Sequence, residues 1–103
     1  MKIKDGASIQ GLHIKMRPVL IAADAIWKGL GQELVITAGL DGEHSAGSLH
    51  YYGRALDFRT HYFTDVEKAK ALSFLVMHLD EVDGQPYDVI LHDTHIHVEY
   101  DPR

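Results

Sequence analysis

From Pro18 onward, Val19, Leu20, Ala23, Ile26, Trp27 and Leu30 recur at three- and four-residue intervals. That spacing predicts an amphipathic helix with proline in its first turn, ended by Gly29 and Gly31. Trp27 lies on the apolar stripe, so its expected place is the core. Leu34 to Ala38 is short, β-branched and bounded by glycine, which predicts a strand. Between Ala55 and Thr60 the rhythm changes to alternation: Leu56 and Phe58 point one way, and Ala55, Asp57 and Arg59 the other. Thr64 to Glu67 has the form of a capping box. Val66, Ala69, Leu72, Ser73, Val76 and Leu79 then predict a second helix running to Asp80 or Glu81. Asp83, Gly84, Gln85 and Pro86 break it. Tyr87 to His92 and His95 to Tyr100 follow as two strands joined by a tight turn at Asp93 and Thr94. Residues 1–13 show little periodicity and are expected to be irregular.

These elements predict an α+β fold, an antiparallel sheet of about four strands packed on two helices. At 103 residues the chain is expected to make one domain, residues 1–103, with a single core and little to spare for a second module. A hydrophobic content of 46% with 24% charged residues is that of an ordinary folded protein rather than a disordered one. The formal charge of −5 argues against a nucleic-acid partner, which calls for a basic patch. Val19 to Ala23, the longest apolar run, is too short to span a bilayer, so no membrane insertion is expected. The first eleven residues lack the continuous apolar run of a signal peptide.

Alternation also sorts the candidate chemistry. In the last strand Ile96, Val98 and Tyr100 share one face, leaving His95, His97 and Glu99 on the other, as Asp57 is left by Leu56 and Phe58. Both strands therefore send aliphatic side chains to the helices and metal-capable groups outward. Upstream, His50 stands seven positions before Asp57, and Gly53 between them allows the backbone to bend so that both can meet one ion. The chain has eight histidines and no cysteine, so any metal must be held by nitrogen and oxygen. Two imidazoles and a carboxylate suit zinc, and a vacant fourth position would hold a water molecule whose pKa the metal lowers to about 7. His13, His61 and His78 are expected to be surface or boundary residues. The loop from Gly39 to Ser48 carries Asp41, Glu43, His44 and Ser48, a polar rim near the site.

The run Ser48, Leu49, His50, Tyr51, Tyr52, Gly53, Arg54, Ala55, Leu56, Asp57 resembles the Ser-x-His-x-x-Gly-x-Ala-x-Asp signature of zinc D-Ala-D-Ala carboxypeptidases and L-alanyl-D-glutamate peptidases. These belong to a wider group with lysostaphin-type endopeptidases and the hedgehog signalling domain. His92, His95 and His97 are similar to the histidine-rich branch of that family, and the compact form resembles small bacteriophage members. The resemblance covers about Leu34 to Tyr100. It implies a hedgehog-like fold and a zinc-dependent hydrolase of bacterial peptidoglycan peptides, with Zn2+ held by His50, Asp57 and His97. It also implies His95 as general base or water-positioning group and His92 as its supporting or oxyanion partner. Ser48 and Tyr52 would orient a ligand or meet the substrate. A chain of this kind, made in the cytoplasm, would reach the cell wall through lysis or as part of a virion.

One departure concerns specificity. Many carboxypeptidase members carry arginine after the glycine that closes the first strand, where this chain reads Gly39, Leu40, Asp41. Arg54 or Arg59 could take over the anchoring of a substrate carboxylate, since a guanidinium fork matches it from several approaches; otherwise the bond cut lies within a peptide bridge. Thr94 stands where another branch has glutamate, which leaves the proton-transfer role to His95. The alternative is a recognition module that holds zinc on the same scaffold without cutting.

Overall fold

The computed structural model describes residues 1–7, 9–38, 53–81 and 87–101. The elements in chain order are β1 (Lys2–Ile3), a 3-10 turn (Ile14–Met16), α1 (Arg17–Gly29), β2 (Val35–Ala38), β3 (Ala55–Arg59), α2 (Asp65–Glu81), β4 (Tyr87–Leu91) and β5 (His95–Tyr100). The fold is α+β, with two helices and one open sheet in the order β1-β2-β3-β5-β4. No helix among the described residues is long and apolar enough to cross a membrane.

The sheet has five strands and is mixed, where a purely antiparallel one of about four was expected. β1 pairs parallel to β2, through Lys2 N–H to the Leu34 carbonyl at 2.8 Å and Lys4 N–H to that of Ile36 at 2.9 Å. A two-residue strand contains no alternation to read, and parallel pairing needs a crossover, which α1 supplies. The other pairings are antiparallel.

α1 forms as its spacing predicts, with Pro18 in the first turn and Gly31 at a positive φ just after its end. Its stripe buries Val19, Ala22, Ala23 and Trp27. Trp27 is fully buried, meets Phe58 edge-on at 5.8 Å and donates its indole N–H to the Arg59 carbonyl at 2.9 Å. That bond satisfies the one polar atom the ring brings into the core.

α2 begins at the expected reciprocal cap: Thr64 N–H donates to the Glu67 carboxylate at 2.9 Å and Glu67 N–H to the Thr64 hydroxyl at 3.2 Å. Its buried face differs from the expected one. Ala71, Leu75 and Leu79 are buried, while Val66 and Val76 are exposed. Apolar residues lie on nearly every side of this helix, so spacing alone supports two stripes, and packing against α1 and β4 selects between them. Leu75→Ala is expected to cost about 2–5 kcal/mol in urea unfolding. Val66→Ala should change stability by about 0.5 kcal/mol or less.

At the start of β3, Gly53 has φ 73° and its carbonyl accepts from His13 N–H at 2.9 Å. A Cβ there would lie 2.6 Å from the Gly11 carbonyl oxygen. Only glycine permits this approach, which seats the segment around Leu12 against the strand that carries Asp57.

Candidate metal centre

The β3–β5 register decides which side chains meet. Ala55 stands opposite Glu99, Asp57 opposite His97 and Arg59 opposite His95. On the reverse face Leu56, Phe58, Ile96 and Val98 are fully buried, so the polar row is aimed away from the core. Ala55 shares the polar row yet is buried too, contrary to the outward position its alternation predicts.

Asp57 lies between two imidazoles. Its Oδ1 is 2.8 Å from Nδ1 of His97 and its Oδ2 is 3.8 Å from Nε2 of His95. His97 is held at both ring nitrogens, because Nε2 lies 3.0 Å from Oε1 of Glu99. These groups are largely enclosed, with 16% of the Asp57 side chain, 17% of His97 and 20% of Glu99 exposed, against 29% of His95. On the far side of His95, Nδ1 is 3.2 Å from the Thr94 hydroxyl. The His92 ring stacks on that of His95 at 4.6 Å. His92 itself is exposed, and its backbone N–H closes the β4–β5 hairpin by donating to the His95 carbonyl at 2.8 Å.

The hydrogen bond to Asp57 holds the His97 pKa above its ordinary 6.5; burial opposes this, and Glu99 adds to the rise. When protonated, His97 donates to both carboxylates, Asp57 on β3 and Glu99 on β5. A base with a raised folded-state pKa stabilises the fold fully below its unfolded value, and the contribution fades as pH rises through the folded value. The metal-free protein is thus expected to lose urea resistance as pH climbs from 6.5 through the raised value, and Asp57→Asn should flatten that step. A cation that took His97 as a ligand would need the neutral ring, so its uptake below that value would release a proton, which calorimetry in buffers of different ionisation enthalpy would register.

Among the described residues, two of the three expected ligands are brought together, and both are donor types that zinc accepts. Asp57 and His97 offer oxygen and nitrogen from adjacent positions, a set suited to a borderline cation. Asp57 Oδ1 and His97 Nδ1 stand 2.8 Å apart, close enough for one cation to be offered both. His50, Ser48, Tyr52 and Asp41 lie outside the described residues.

Asp57, His95, Lys4, Thr37, Arg59 and His61 line one cleft of about 460 Å³. Arg59 thus joins the site, whereas Arg54 does not line this cleft and serves β5 by accepting Tyr100 N–H at its carbonyl, 2.8 Å away. Lys4 and His61 were not legible as site residues. Lys4 reaches the cleft through the short β1 pairing, and His61, expected at the surface, is exposed but borders the opening. His13, by contrast, is structural: its Nδ1 accepts from Lys15 N–H at 3.1 Å and its ring stacks on Tyr100.

A second group stands beyond His97, toward the β4 edge. Asp88, Glu99 and Asp101 each offer a carboxylate oxygen, all within 4.8 Å of one another, an arrangement that could hold a cation. Neither family models nor curated proteins give a significant match to this chain.

Proposed function

We propose that the chain is a zinc-dependent peptidase that cleaves peptide stems or crosslinks of bacterial peptidoglycan, on a scaffold of the hedgehog and D-Ala-D-Ala-peptidase type. The observation that supports this reading best is the placement of Asp57, His95 and His97 on one face of adjacent strands, with Asp57 and His95 opening into a cleft lined by cations. Asp57 and His97 would hold the ion, joined by His50 from the Ser-x-His motif. When bound, zinc supplies Lewis acidity toward a carbonyl and lowers the pKa of water.

His95 has the position and the chemistry for proton transfer. His95 lines the cleft with its Nε2 3.8 Å from Asp57 Oδ2, and an imidazole there would accept a proton from attacking water and return it to the departing amine. The Thr94 hydroxyl and the stacked His92 ring restrain the orientation of His95, which gives His92 a supporting role. Arg59 and Lys4 present positive charge to the same cleft, and a substrate carboxylate complements it. Ser48, Tyr52 and Asp41, which precede β3 in the sequence, would meet the substrate.

Stripping the protein with a chelator is expected to abolish release of peptide or D-alanine from muropeptides, and zinc to restore it. Cleavage indifferent to chelation overturns the reading.

A further inference from the structure

We infer that Glu99 is a positioning residue: by accepting the Nε2 proton of His97 it fixes the ring tautomer that turns Nδ1, the nitrogen beside Asp57, toward the cation. The assignment rests on the zinc reading above and specifies which nitrogen of His97 binds.

A neutral imidazole carries one N–H and one lone pair, so a ring with a fixed acceptor at one nitrogen offers the metal the other. His97 has carboxylates at both: Asp57 at Nδ1, 2.8 Å away, and Glu99 at Nε2, 3.0 Å away. Only one of them can share an ion with the ring. Asp57 stands directly opposite His97 and lines the cleft, whereas Glu99 lies two residues along β5, opposite Ala55, and does not line it. Ala55 offers no side-chain hydrogen bond that would draw Glu99 away. Carboxylates that accept the second N–H of a ligating histidine orient the ring and raise its basicity, and their loss typically lowers metal affinity about 10- to 100-fold. Glu99 is also one of the three clustered acids with Asp88 and Asp101, which gives a rival account of its carboxylate: a ligand in a separate acidic site.

The test measures zinc affinity by competition with a chromophoric chelator and reads the His97 ring nitrogens by 15N NMR of the zinc-loaded protein. In the wild type, zinc should sit on Nδ1 with the proton on Nε2, a result that needs no substitution. Glu99→Ala should weaken zinc about 10- to 100-fold, with Trp27 fluorescence reporting an intact core. Glu99→Gln, whose amide oxygen still accepts from Nε2, should recover most of the affinity. Asp88→Asn and Asp101→Asn should leave affinity and tautomer as in the wild type. Zinc on Nε2, unchanged affinity in Glu99→Ala, or equal losses in Asp88→Asn and Asp101→Asn would each overturn the assignment while leaving the peptidase reading in place. A wild type that takes up no zinc overturns both.

Discussion

Replacing His95 by alanine is expected to lower muropeptide turnover by about 10²- to 10⁴-fold while zinc content stays at the wild-type level. The two readouts separate because the ring is close to the proposed ion-holding pair without making its shortest contact: His95 Nε2 is 3.8 Å from Asp57, against 2.8 Å for His97 Nδ1. The imidazole is also the most exposed of the three groups and lines the cleft. Removing it takes away the group proposed to carry the proton and leaves the carboxylate and His97 in register. Measured with zinc held in excess, the loss should fall mainly on kcat, because a proton in flight is stabilised only in the transition state. If His95→Ala turns over substrate at the wild-type rate, His95 has no role in proton transfer. If neither protein turns over substrate although both hold zinc, the recognition-module alternative gains instead.

Asp57→Ala should have the larger consequence, with zinc uptake and activity disappearing together. Asp57 combines an anionic oxygen, a short contact with His97, the second proposed ligand, and a seat on a central strand, flanked by β2 on one side and β5 on the other. Its loss should exceed the roughly 10- to 100-fold weakening that follows removal of an outer partner such as Glu99. It also strips His97 of the acceptor most responsible for its raised pKa, so the metal-free variant should lose the pH-dependent stability step as well. Elemental analysis after dialysis and urea unfolding on either side of pH 6.5 check the two parts independently. Zinc retained at full stoichiometry would show that the ion sits elsewhere, with the acids at Asp88, Glu99 and Asp101 as the first place to look.

Much of this centre was legible from alternation alone. The face shared by Asp57 and Arg59, and that shared by His95 and His97, follow from single-residue steps along two strands, and the sheet pairs them at the same level. The capping box at Thr64 and the buried Trp27 were legible for the same reason, since each is a local pattern with a fixed geometric meaning. What escaped depended on partners distant in sequence. Lys4 enters the cleft because β1 pairs with β2 across the whole of α1, and two residues of strand give no periodic signal. The buried face of α2 was set by its neighbours, because both of its apolar stripes satisfy helical spacing. Glu99 was visible as a metal-capable residue on the outward face, but its hydrogen bond to His97 requires side-chain geometry that spacing does not contain.

Along β3 and β5 each residue of the polar row is followed by one of the core: Asp57 by Phe58, His95 by Ile96 and His97 by Val98. A slip of either strand by a single step would drive a carboxylate or an imidazole into the hydrophobic interior and strand an aromatic or aliphatic side chain in water. Errors of alignment are therefore rejected during folding by the desolvation they incur, before any ligand is present. The polar row inherits its alignment from that proofreading, and a substitution that loosens the interior beneath Phe58 or Ile96 should blur the row above it.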